Sequence, residues 1–111
     1  MPYKGMPWIR GDELLRLSDR SAIRVGSSAW FDWLAQADAF CYQLPGATDR
    51  MTVRREKRRQ TFYWYAYMKN TRKLHNMYVG KTESLTVDRL HAVFDELLEK
   101  ARAYRQRGVN G

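Results

Sequence analysis

The chain has 111 residues, 44% hydrophobic and 14% aromatic, with a formal net charge of +8. That length suits one compact domain, and the apolar content excludes a disordered chain. A single cysteine, Cys41, excludes an internal disulfide framework and a cysteine-based zinc site. No apolar run approaches the roughly 18 residues of a membrane helix, and Met1 to Arg10 lacks a signal-peptide core. A cytoplasmic protein without a membrane partner is expected.

Residues 1–27 read as an N-terminal arm. Met1 to Gly11 holds two prolines and two glycines and is expected to lie loosely on the surface. Asp12 to Leu17 (DELLRL) reads as a short helix, with Gly26 and the Ser27-Ser28 pair separating it from the next element. Ser28 is the candidate N-cap of a helix over Ala29 to Ala37, where Trp30, Trp33, Leu34 and Ala37 form one apolar face. Ala39 to Leu44 (AFCYQL) reads as a strand stopped by the turn pair Pro45-Gly46.

Residues 50–81 hold 10 basic side chains against one acid, Glu56, whereas residues 1–49 carry 5 basic and 6 acidic groups and residues 82–111 carry 5 of each. The whole positive excess therefore lies in one segment, as an electrostatic footprint for an anionic partner does. The pattern there is a strand meander: Met51 to Arg59, then Thr61 to Lys69 (TFYWYAYMK), a polar connection Asn70 to Lys73, and Leu74 to Val79 ending at Gly80. The last element is a helix from Val87 to about Gln106. Its apolar stripe is Val87, Leu90, Phe94, Leu97, Leu98, Ala101 and Tyr104, with Thr86 as N-cap and Gly108 as stop. The expected fold is α+β: an antiparallel three- to four-stranded sheet, with a short N-terminal helix and a long C-terminal helix packed on one face. Residues 28–107 form this single domain and residues 108–111 a tail.

Alternation along Thr61 to Lys69 puts Phe62, Trp64, Ala66 and Met68 toward the helices and Tyr63, Tyr65, Tyr67 and Lys69 on the open face. Tyrosine rings tolerate water while stacking on bases or bonding phosphates. The register leaves two possibilities for the flanking charge: Arg55, Lys57 and Arg59, or Arg54 and Arg58, share the tyrosine face. Arg72, Lys73 and Lys81 border the third strand. The plainer alternative is that the tyrosines are cross-strand sheet pairs and the cations protect strand edges.

Catalytic signals are weak, and no enzyme, cofactor or metal site is expected. His75 and His91 lack metal-ligand spacing, and Cys41 sits between Phe40 and Tyr42 as an inert core thiol. Gly80-Lys81-Thr82 ends like a phosphate loop, but the position four residues before Gly80 is Asn76 rather than glycine.

Five ordered blocks carry a resemblance. They are Trp30, Trp33 and Leu34; the basic run Arg54 to Arg59; Tyr63 to Tyr67; Tyr78 to Lys81; and Glu83 to Thr86. Together, over about residues 28–101, they resemble a module near the N-terminus of some bacterial LuxR-type, MalT-like transcriptional regulators. The same module occurs in small free-standing proteins of plasmids and mobile elements. Two departures are Gln60-Thr61, where that family shows glycines, and Leu74 to Met77, where it shows basic residues. The resemblance implies work on DNA. A three-stranded sheet followed by a helix is also similar in topology to the arm-binding domains of tyrosine recombinases, which lay the sheet in the major groove.

The leading expectation is therefore a non-enzymatic DNA-binding protein of transcriptional control or a mobile element. Its contacts would be Arg54, Arg55, Lys57, Arg58, Arg59, Lys69, Arg72, Lys73 and Lys81, over a floor of Tyr63, Tyr65 and Tyr67. Duplex DNA is favoured over RNA as partner. The alternatives are binding of double- or single-stranded RNA, and a protein-interaction module accepting a partner strand or forming a homo-oligomer in a nucleoprotein assembly.

Overall fold

The computed structural model describes residues 6–15, 22–44, 46–70 and 72–110, with side chains to residue 105. Seven strands and two helices follow in chain order. The strands are β1 (Trp8–Arg10), β2 (Glu13–Leu15), β3 (Ala22–Arg24), β4 (Ala39–Gln43), β5 (Met51–Arg58), β6 (Thr61–Asn70) and β7 (Lys73–Gly80). Helix α1 (Ser28–Leu34) lies between β3 and β4, and α2 (Val87–Asn110) closes the chain after a 3-10 turn at Thr82–Ser84. They make one seven-stranded sheet in the order β3-β2-β1-β4-β5-β6-β7. All pairings are antiparallel except β1 with β4, which are parallel.

This overturns the expected three- to four-stranded antiparallel sheet with a short N-terminal helix. The stretch read as a loose arm supplies strands instead. Glu13–Leu15, read as part of a helix, pairs with Trp8–Arg10 across a two-residue turn at Gly11-Asp12. Gly11 there adopts φ +68°, the backbone freedom a tight hairpin needs. Tertiary burial decided the outcome. Ile9 and Leu14 face each other across β1 and β2 and are both fully buried, a gain that a one-turn helix has no means to match. Residues 16–21, including Leu17 at the end of the expected helix, and residues 1–5 lie outside the described residues.

Helix α1 begins one residue earlier than expected. Ser27, not Ser28, is the cap: its Oγ accepts the Trp30 N–H at 3.2 Å and donates to the Arg24 carbonyl at 2.7 Å. Helix α2 starts at the expected cap, with Thr86 Oγ1 accepting the Arg89 N–H at 3.2 Å. It then runs through Gly108 to Asn110, so Gly108 is not its stop. A single glycine in a helix costs only about 1 kcal/mol, too little to end one.

Both helices cover the same face of the sheet. Phe40 and Tyr42, alternate residues of β4, meet α1 and α2: Phe40 packs edge-on to Trp30 at 5.4 Å, and Tyr42 edge-on to Phe94 at 5.5 Å. Trp30, Leu34, Phe40, Val53, Trp64, Ala66, Met68, Leu90, Val93, Phe94 and Leu97 form the fully buried centre. The two buried indoles also tie the loop between β7 and α2. Trp30 Nε1 donates to the Leu85 carbonyl at 2.8 Å, and Trp64 Nε1 to Thr82 Oγ1 at 3.0 Å.

Gly80 turns the chain from β7 into that loop at φ +142°, where an added Cβ would stand 2.8 Å from Ser84 Cβ. Gly80→Ala is therefore expected to lower stability by about 2 kcal/mol through backbone strain and the clash. Thermal unfolding measures it; an unchanged midpoint would show that the loop relaxes freely.

Candidate nucleic-acid interface

The meander carries the charge because its strands outrun their neighbours. β4 pairs with β5 only as far as Ala39↔Arg54, and β7 pairs with β6 only as far as Gly80↔Trp64. Beyond them Glu56↔Tyr63, Lys57↔Phe62 and Arg58↔Thr61 continue as a two-stranded ribbon with no strand on either side among the described residues. From Arg55 to Arg58 this projection measures about 10 Å by strand rise. Residues 55–59 read Arg-Glu-Lys-Arg-Arg, four cations and one acid. At the tip Arg59 holds φ +61°, a left-handed conformation in which a non-glycine residue carries strain.

The register resolves which cations share the tyrosine face. Arg54 pairs with Tyr65 and Arg58 with Thr61, so these two stand beside Tyr63, Tyr65, Tyr67 and Lys69, with Glu56 between them. The Arg58 guanidinium lies 4.9 Å from the Tyr65 ring centroid and 2.7 Å from Glu56 Oε1. Tyr67 donates its hydroxyl hydrogen bond to the other Glu56 oxygen. Arg54 and Lys69 are exposed and their side chains have no hydrogen bond or ion pair among the described residues. With Thr52, Tyr67 and Leu74 they line a shallow concavity of about 270 Å³.

Arg55 and Lys57 point the other way. Arg55 Nη1 donates to the Ala35 carbonyl at 3.2 Å, and its Nη2 lies 3.3 Å from Asp38 Oδ1, so this arginine ties β5 to the C-terminal end of α1. A cation there also complements the helix dipole. Phe62 has the expected helix-side orientation but is 47% exposed, because the ribbon passes beyond both helices. It lies under Arg55 at 4.9 Å and Lys57 at 5.8 Å. Arg72, at φ +64°, and Lys73 lie at the opposite end of the meander, and Lys81 follows β7. Of the twelve predicted residues, Arg54, Arg58, Tyr63, Tyr65, Tyr67 and Lys69 thus share the open face, and Arg55 and Lys57 lie on the helix side. Arg59 stands at the ribbon tip, Arg72 and Lys73 lie at the distant hairpin end, and Lys81 follows Gly80 near the base of the ribbon.

Two further residues belong to the open face. Tyr78 of β7 is 45% exposed and touches Tyr65 edge-on at 5.5 Å and Tyr63 at 5.9 Å. Glu56 is the acid that neutralises Arg58. Both were readable by counting alternate positions: Leu74, Asn76 and Tyr78 on one strand, Arg54, Glu56 and Arg58 on the other.

Cys41 is fully buried, and burial pushes its thiol pKa up, with Arg50 opposing the shift. That disfavours the thiolate a nucleophile needs. Tyr42 is likewise pushed up to about 12, by burial and then by Asp95. Among the described residues no three His, Cys, Asp or Glu side chains gather as a metal site, and no helix is long and apolar enough to cross a membrane. No family model matches the chain, and neither the curated proteins nor the solved structures yield a match.

Proposed function

We propose that the chain is a non-enzymatic, cytoplasmic DNA-binding protein that inserts the β5–β6 ribbon into the major groove and rests the flanking tyrosine face on the backbone. The observation that carries this reading is the ribbon itself: two strands, flanked by no other strand among the described residues, with three cations, Lys57, Arg58 and Arg59, in the four residues 56–59. A major groove about 12 Å wide admits a two-stranded ribbon, whereas the major groove of A-form RNA is too narrow for side chains to read. The tyrosines support duplex over single-stranded binding. Tyr63, Tyr65 and Tyr78 pack against one another, and Tyr67 is held by Glu56, so the rings form a floor rather than separate stacking platforms. The likeness to bacterial regulator and mobile-element modules supports a role in transcription control or element maintenance.

Strand addition by a protein partner is disfavoured at the β7 edge. Arg89 donates to the Tyr78 and Val79 carbonyls at 3.0 and 2.9 Å, and Lys100 to the Asn76 carbonyl at 3.2 Å, so cations from α2 already occupy the groups a partner strand needs.

Mobility shift with duplex DNA, duplex RNA and single-stranded RNA over a salt series tests the proposal. Duplex DNA is expected to bind tightest, with a log–log salt slope of about −0.9 per phosphate neutralised. Salt-insensitive binding, or preference for either RNA, would overturn it. Glu56→Gln removes the acid of the tyrosine face and frees Arg58, so it should tighten duplex binding several-fold, about 1 kcal/mol. Weaker binding by this variant would place the DNA elsewhere.

A further inference from the structure

At the far end of the meander a second cationic feature lies on the helix side. His75, opposite Met68 in the β6–β7 ladder, is 8% exposed, and its Nε2 is buried without a hydrogen-bond partner. Buried polar atoms are overwhelmingly paired, since leaving one unpaired costs free energy, and an exception calls for a cause. The imidazole lines a cavity of about 280 Å³ together with Lys73, Lys100, Ala103 and Tyr104. Neither lysine has a carboxylate partner among the described residues. Lys73 Nζ lies 5.9 Å from the Tyr104 ring centroid, and Lys100 gives one donor to the Asn76 carbonyl and keeps two. The Tyr104 ring stands edge-on to His75 at 5.8 Å and is itself half-exposed.

We propose that this cavity binds a single phosphoryl group. Two lysines, a tyrosine and a histidine whose buried Nε2 has no partner line it, and a tetrahedral oxyanion accepts from several such donors at once. Unpaired positive charge in a concave wall favours a dianion. The volume falls just below that of drug-sized ligand sites, so the cavity suits one phosphate or a small phosphorylated molecule. The site does not rest on the DNA-binding proposal. It lies on the other face, and β6 spans about 30 Å between the ribbon and this end of the sheet by strand rise.

The test is a titration of the full chain with inorganic phosphate at constant ionic strength, following the His75 imidazole nitrogens by NMR. The expected result is a saturable shift of the His75 resonances that chloride does not produce. The exposed-lysine double variant Lys73→Gln, Lys100→Gln should weaken it about 100-fold, whereas Arg58→Gln should leave it unchanged. Short duplexes with 5′-phosphate or 5′-hydroxyl ends identify the source. A response to the phosphorylated ends alone assigns a nucleic-acid terminus, and a response to inorganic phosphate but to neither duplex assigns a small molecule. No movement of His75, or equal movement in the double variant, overturns the site.

Discussion

Lys57→Gln, Arg58→Gln and Arg59→Gln combined are expected to weaken duplex DNA binding roughly 100-fold, at about 1 kcal/mol for each lost charged contact. The salt slope should fall in magnitude by about 2.7, since each neutralised phosphate contributes about 0.9. All three side chains are exposed and none belongs to the buried core, so circular dichroism and the unfolding midpoint should stay near wild type. An unchanged slope would remove the ribbon from the interface. A single variant separates binding from folding further. Arg59→Gly relieves a left-handed backbone costing about 1–2 kcal/mol, partly offset by about 0.5–1 kcal/mol of glycine entropy. It should therefore be neutral to mildly stabilising while lowering affinity. Strain kept at a charged hairpin tip where glycine fits more comfortably is what a binding role at Arg59 explains.

Trp30→Ala is expected to have the largest effect on stability, about 3–5 kcal/mol. The indole is fully buried, stacks on Trp33 at 5.7 Å and meets Phe40 edge-on, so truncation opens a cavity at the centre of the α1 contact. It also deprives the Leu85 carbonyl of its 2.8 Å donor, leaving a buried acceptor without a partner. A domain of this size has only about 5–15 kcal/mol in total, and the loss should move the thermal midpoint by well over 10 °C. Trp30→Phe retains most of the ring packing but not the donor, and should cost less than the alanine variant by the packing share. Equal losses in the two variants would show that the hydrogen bond, not the packing, dominates at this position.

Much of the meander was legible because its signals are local. The alternation Phe62, Trp64, Ala66, Met68 against Tyr63, Tyr65, Tyr67 follows from the two-residue period of a strand, and the burial of Trp64, Ala66 and Met68 matches it. Phe62 departs from its row because exposure depends on how far the helices extend, which no alternation encodes. The N-terminal strands were harder. Three-residue strands carry almost no periodicity, and DELLRL satisfies a helical pattern as readily as an extended one. The Gly11-Asp12 turn between them was the available signal. The parallel pairing of β1 with β4 joins residues about 33 positions apart and leaves no local trace. Arg55 shows the same limit at the site. Among five neighbouring basic residues, nothing in the run marks the one that bonds Ala35 and Asp38.

By itself the sequence determined where the positive charge lies, residues 50–81, and that an aromatic strand runs through it, because composition and alternation are properties of neighbouring residues. Only the tertiary structure decided that Arg54 and Arg58, rather than Arg55 and Lys57, share the tyrosine face, since register depends on the pairing partner and a one-residue slip exchanges the two sets. It also decided that the β5–β6 hairpin projects as a free ribbon, because the ends of β4 and β7, distant in the chain, set where the sheet stops. The net charge of +8 becomes in three dimensions a charged ribbon at one end and a cleft lined by Lys73 and Lys100 at the other.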